Sequence, residues 1–196
     1  MSDDRLAQQI EFLIQADRLK TILRRTPLTD NSRLENSAEH SWHLALAALA
    51  LGEHAPGVDV GRVLQLVVIH DLVEIDAGDT FAYDPAAHVT KEERERAAAD
   101  RLFGLLPSDQ RAMFRALWDE FEAHATPEAR FANALDRFQA LLLNSQSGGG
   151  SWATHRVRRS QVLARMAPVQ AALPSLWPFV LDVIDRACES GTIVRD

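Results

Sequence analysis

The sequence has 196 residues, 46% of them hydrophobic and 25% charged, with a formal net charge of −7. That composition excludes a disordered chain, a collagen-like chain and a small disulfide scaffold. The acidic balance speaks against general nucleic-acid binding, which needs basic charge set against phosphate. The single cysteine, Cys188, has no intrachain partner, so a reducing, cytoplasmic setting is expected. The opening M-S-D-D-R lacks the basic and apolar regions of a signal peptide. The longest clean apolar run, 44–51, falls well short of the roughly 20 residues needed to span a bilayer. The expectation is one soluble, unanchored domain over 1–196, with the helices beyond about residue 152 packed on it.

Good helix formers dominate, and apolar residues recur at helical rather than alternating spacing. The first helix is predicted near 3–24, opened by Ser2 with Asp3 and Asp4, since acids favour a helix N-terminus. The second spans 37–54, started at Ser37 and stopped near Gly52. The third, 59–76, carries the apolar V-L-Q-L-V-V-I and stops at Gly78. Thr90-Lys91-Glu92-Glu93 has the form of a capping box and opens a helix over 90–105. Ser108 follows Pro107 and begins 108–123. Thr126 before Pro127 gives the N-cap and N1 order for 126–146. Helices at 158–171 and 175–190 complete the chain. Two loops are expected, 78–89 and the glycine-rich 147–151. The fold class is therefore all-α, a single-domain helical bundle.

The densest chemistry lies in I-H-D-L-V-E-I-D-A-G-D-T, residues 69–80. His70 and Asp71 follow a strongly apolar stretch, so they are expected at the inner end of a buried helix, where a charge needs a partner or a metal. Glu74 shares their face, at i+4 from His70 and i+3 from Asp71. Taken alone, a His-Asp pair is more simply a hydrogen-bonded core histidine. The company changes that reading. His40 and His43, three apart on a helix, each offer a ligand, and Asp136 is an acid set among apolar residues, with Arg137 as its plainer salt-bridge partner. His40, His70, Asp71 and Asp136 make a set of two imidazoles and two carboxylates. Mixed nitrogen and oxygen donors suit Mn, Fe, Co, Ni or Zn, and Mg less well. Such an ion polarises a substrate oxygen and lowers the pKa of water, with Glu74 placed to orient or deprotonate that water. Arg18, Lys20, Arg24, Arg25 and Arg33 concentrate basic charge upstream of His40, and arginine suits bidentate phosphate contacts. Arg25 is the first choice among them. Lys91 could also reach a phosphate, although a surface lysine is the plainer reading.

The pattern H…HD…D, with A-E-H-S, I-H-D-L-V-E and G-D-T around it, resembles the HD-domain metal-dependent phosphohydrolases. Within them it looks like the branch of the 5′-deoxynucleotidases and HD-domain-containing protein 2. The resemblance runs from about residue 12 to about residue 145. It implies an all-helical fold of the HD type, one bound divalent ion, hydrolysis of nucleoside 5′-monophosphates and a homodimer. It also implies that an arginine just before the first proline, Arg25 or Arg24, contacts the phosphate, and that Glu74 and Asp79 assist catalysis. Where the deoxynucleotidases carry a tryptophan after that arginine, this chain has Thr26, which leaves the choice of sugar open.

Other residues attract weaker readings. Trp152 is read as core before base-stacking, His88 and His155 as loop residues, and His54 and His124 as surface. Cys188 has no adjacent base in sequence to make it a nucleophile. Two rival functions are an HD-type hydrolase of a diester, pyrophosphate or nucleoside triphosphate, and a non-catalytic protein that uses its metal for folding or ligand binding.

Overall fold

A computed structural model describes residues 2–196 of the chain. The helix-start signal read at Ser2 and Asp3 rests on side chains outside the described ones. The first helix, α1 (Ser2–Ala16), is shorter than expected. It passes into a 3₁₀ turn at Asp17–Thr21 and then into a two-stranded antiparallel hairpin, β1 (Leu23–Pro27) with β2 (Leu34–Asn36), where Leu23 pairs with Asn36 and Pro27 with Leu34. The predicted helix over 3–24 is thus corrected at its C-terminal third. The strands are short and β1 reads L-R-R-T-P, without the apolar alternation that marks a half-buried strand.

Asn36, rather than Ser37, caps α2 (Ser37–Leu51). Its side chain accepts from the Glu39 amide at 2.9 Å, and Glu39 accepts in return from the Asn36 amide at 3.2 Å, a reciprocal capping box. The hairpin and this cap together fix where α2 begins, and so where His40 sits. The predicted helix 59–76 is broken into three: α3 (Val60–Ile69), a 3₁₀ turn over His70–Val73, and α4 (Glu74–Ala77), closed by Gly78 at φ +74°. A 3₁₀ turn eclipses side chains three apart, which brings Asp71 and Glu74 to the same side.

The segment 78–89 contains one short helix, α5 (Pro85–His88), and leads to α6 (Lys91–Phe103). The capping box read at Thr90 does not form: Thr90 caps no backbone amide, and its hydroxyl oxygen accepts from Arg94 Nε at 3.3 Å. Arg94 also donates to the Ala77 carbonyl and to Thr80, tying the segment after Gly78 to α6. Next come α7 (Ser108–Ala123) and α8 (Pro127–Gln146), the latter capped as expected by Thr126, whose hydroxyl oxygen accepts from the Ala129 amide at 3.1 Å. The glycine stretch is partly helical, because α9 (Gly150–His155) starts inside it. Two further helices, α10 (Arg159–Ala172) and α11 (Trp177–Glu189), complete the bundle.

The axis of the bundle is α8. Ala129, Phe131, Ala134, Leu135, Phe138 and Leu141 are buried on several of its sides, as expected of a helix surrounded by others. It packs against α2, α3, α7 and α10. Among the described residues no helix is long and apolar enough to cross a membrane.

Candidate active site

Four elements bring polar side chains into the otherwise apolar interior: α2, the 3₁₀ turn after α3, α8 and the hairpin. His40, His70 and Asp71 each offer one ligand atom, and these atoms lie within 4.8 Å of one another. Asp136 joins from α8, with Oδ1 at 3.1 Å from His40 Nε2. The structure therefore gathers all four of the residues singled out as ligands.

The histidines are oriented from behind. His70 Nδ1 lies 2.8 Å from the Val67 carbonyl, an oxygen that can only accept, so Nδ1 carries the proton and Nε2 the lone pair. That Nε2 is buried and has no hydrogen-bond partner, and Asp71 Oδ1 is 3.0 Å away without forming one. A lone pair facing a carboxylate oxygen in a buried place calls for a cation between them. This orphaned atom, with a backbone carbonyl fixing the other ring nitrogen, fits a divalent metal. His40, 0% exposed, meets Gln139 Oε1 at 3.1 Å through Nδ1, with Glu35 Oε2 at 3.5 Å. Gln139 in turn donates from Nε2 to Glu35 Oε1 at 2.6 Å and lies 3.2 Å from His43 Nδ1. His43 thus stands behind the cluster.

Arg24 threads through the acids. Its Nη1 donates to Asp71 Oδ2 at 3.0 Å and lies 4.0 Å from Asp79 Oδ1, while Nη2 is 3.7 Å from Asp136 Oδ1 and Nε 3.5 Å from Glu35 Oε2. Arg25, the next residue on the strand, is exposed and lies outside the acid cluster, although it shares one cavity wall with Arg24, near Phe81 and Tyr83. Glu74 is buried, and its Oε2 accepts from Ser37 Oγ at 2.6 Å.

The electrostatics follow from burial and crowding. Burial, and then the charge of Asp71, push the Glu74 carboxyl well above the usual carboxylate range. Burial also raises Asp79. Asp71 and Asp136 stay well below it despite burial, because Arg24 and His40 act on the first, and Arg137 and His40 on the second. Burial and Arg24 work against a charge on His40, yet hydrogen bonds to Asp136 and Glu35 raise it to about 9. Among the protein's own groups, the cluster holds more negative charge than Arg24 neutralises, and His40 takes up a proton in response.

Two cavities open from this cluster. One adjoins the ligands and is lined by Asp71, Glu74, Lys91, His88 and His124. Lys91 is partly buried there and donates to Glu95 Oε2 at 2.8 Å. The expectation of His124 as a surface residue gives way to a partly buried one in the left-handed conformation after α7. The second cavity is lined by Thr26, Phe81, Tyr83, Asn144 and Trp152. Trp152 is 2% exposed, so it packs in the core while also facing this cavity. Arg24, Asp79, Arg137 and Arg165 line both. The His155 ring lies 4.3 Å from that of Phe81, tilted by 39°, His54 stays partly exposed beside Glu53, and Cys188 is buried. Reading the sequence missed Glu35, Ser37, Gln139 and Arg165. Only Gln139 left a signal, a polar residue three after Asp136 on the same apolar helix.

A family model described as HD domain matches residues 16–177. Human 5′-deoxynucleotidase HDDC2 is 30% identical over 139 residues, 68% of this chain and 67% of that protein. The 5′-deoxynucleotidase of Erwinia tasmaniensis is 29% identical over 167 residues, covering 79% and 83%. A crystal structure described as a predicted metal-dependent phosphohydrolase from Magnetospirillum magnetotacticum MS-1 superposes with a TM-score of 0.93 at 50% identity, over 98% of this chain and 97% of that one.

Proposed function

This chain belongs to the HD-domain family and is a metal-dependent phosphohydrolase, and from that premise we propose that it removes phosphate from nucleoside 5′-monophosphates. One divalent ion is held by His40, His70, Asp71 and Asp136. The supporting observation is the partnerless, buried Nε2 of His70 facing Asp71 within a cluster of converging ligand atoms. When bound, the ion supplies Lewis-acid polarisation of a phosphoryl oxygen and a more acidic water.

The chain's own residues do the rest by positioning and electrostatics. Arg24, rather than Arg25, holds the phosphate, because its guanidinium is inside the cluster and lines both cavities. Glu74 is fixed by Ser37 beside the ligands and accepts the proton of the attacking water. Asp79, raised by burial and placed where the cavities meet, delivers a proton to the departing sugar oxygen. Lys91 adds positive charge to the lining of the ligand cavity. The nucleoside occupies the cavity of Phe81, Tyr83 and Trp152, where aromatic faces and the polar Asn144 suit a base and a sugar.

Residues 1–196 act as one unit in this reading, since α10 and α11 both pack against α8. The chain works as a homodimer. Trp42, Leu46 and Leu49 make an exposed apolar stripe at i, i+4 and i+7 along α2, which a second copy would cover. The buried, lone Cys188 suits the cytoplasm.

The test is phosphate release from a panel of ribo- and deoxyribonucleoside monophosphates, diesters, pyrophosphates and triphosphates with added Mn, Co or Mg. Release from the monophosphates is expected. Release from a diester or triphosphate, with none from any monophosphate, overturns the proposal.

A further inference from the structure

One charged side chain at the junction of the two cavities has no partner. Arg165, on α10, lines both, and among the described residues its guanidinium makes no hydrogen bond and no ion pair. It faces like charge. Arg137 and Arg24 share the same walls, and Asp136, an acid whose field reaches it, already accepts from Arg137 and meets His40. Burial and the charge of Arg137 lower its pKa to about 10, outweighing the opposing field of Asp136. Folding gains little from such a placement, since a half-buried cation without a partner has no ion pair to offset its partial desolvation. An anion arriving between the cavities would reverse the balance, and a guanidinium fork matches phosphate oxygens in geometry as well as charge.

We propose that Arg165 is a substrate-binding residue that, with Arg137, receives non-bridging oxygens of the phosphate of a monoester lying across the two cavities. This rests on the function proposed above and extends it. It assigns a role to a C-terminal helix beyond the stretch that carries the H…HD…D pattern, and it makes α10 part of the site. A dianionic phosphate is favoured over a singly charged diester, because Arg165 has no acid of its own and stands beside a second guanidinium, Arg137.

The test compares the parent with Arg165→Met, which keeps the length and apolar stem, and with Arg165→Lys, which keeps the charge but loses the fork. The probe is inorganic phosphate, titrated calorimetrically into the manganese-loaded protein, with thermal unfolding measured alongside. Loss of one charge-assisted phosphate contact predicts about 10- to 100-fold weaker phosphate binding in Arg165→Met, with a smaller loss in Arg165→Lys. Because a half-buried charge without a partner has been removed and the apolar stem kept, Arg165→Met melts at or above the parent's temperature. Unchanged phosphate binding in both variants overturns the proposal, as does a parent that binds no phosphate. A lower melting temperature or loss of fold in Arg165→Met also overturns it, since the guanidinium would then be a structural support. A parent that binds phosphate through Arg165 but hydrolyses no nucleoside monophosphate refutes the function proposed above and leaves this inference standing. Hydrolysis with an unchanged KM in both variants does the opposite.

Discussion

Replacing Gln139 by leucine isolates the support behind the ligands from the ligands themselves. The side chain is 1% exposed, and leucine, branched one carbon earlier but similar in volume, keeps most of the packing. Three polar contacts are lost: His40 Nδ1 at 3.1 Å, Glu35 Oε1 at 2.6 Å and His43 Nδ1 at 3.2 Å. Leaving a buried donor or acceptor unsatisfied costs about 1–3 kcal/mol, more for a charged group. His40 Nδ1 retains Glu35 Oε2 at 3.5 Å as a poorer partner, whereas Glu35 Oε1 loses the donor it has here. The net destabilisation is therefore about 3 kcal/mol, most of it from Glu35. Freed from its support, His40 also binds metal more weakly, by about 10- to 100-fold for a residue that orients a ligand. Denaturant unfolding of the metal-free protein reads the first effect, and competition titration of manganese against a chelator reads the second. Destabilisation of the expected size with metal affinity unchanged within about threefold would refute the claim that Gln139 orients a ligand.

Other expectations follow from the same geometry. Arg24→Ala should raise KM for a nucleoside monophosphate by about 10-fold or more, whereas Arg25→Ala, at an exposed residue outside the acid cluster, should change it by much less; steady-state kinetics on the pair decides. Ser37→Ala removes the donor at 2.6 Å from Glu74 and should cost about 1–3 kcal/mol of stability in denaturant unfolding, with kcat reduced because the carboxyl is no longer held. Trp42→Glu with Leu49→Glu should shift the protein from dimer to monomer by light scattering, and an unchanged mass would remove the stripe on α2 from the interface.

The helical class and the clustering of two histidines with two acids were legible because both depend on strong local signals. Apolar periodicity marks α2, α3 and α8, and the Thr126-Pro127 start holds in the structure. His40, His70, Asp71 and Asp136 declared themselves as polar residues in apolar surroundings. The hairpin was not legible: β1 is five residues with two arginines, and its pairing depends on a partner strand beyond a turn. That miss matters for the two arginines, because strand alternation sends Arg24 in among the acids and leaves Arg25 exposed, where helical reasoning could not separate them. The break at His70 was hidden for a related reason, since no glycine or proline marks the change from α-helix to 3₁₀ turn. Glu35, Ser37 and Arg165 act across long sequence separations, and nothing local distinguishes them from surface residues.

The central claim is that the clustered histidines and acids hold a divalent ion used for monoester hydrolysis. The most direct measurement is metal analysis of the purified protein and of His70→Ala, with phosphate release from a nucleoside 5′-monophosphate followed on the same samples. The account predicts about one equivalent of divalent metal and turnover in the parent, with both lost in a His70→Ala protein that remains folded. A parent that turns over the monophosphate after complete removal of metal, or a His70→Ala variant that keeps both metal and activity, would contradict it.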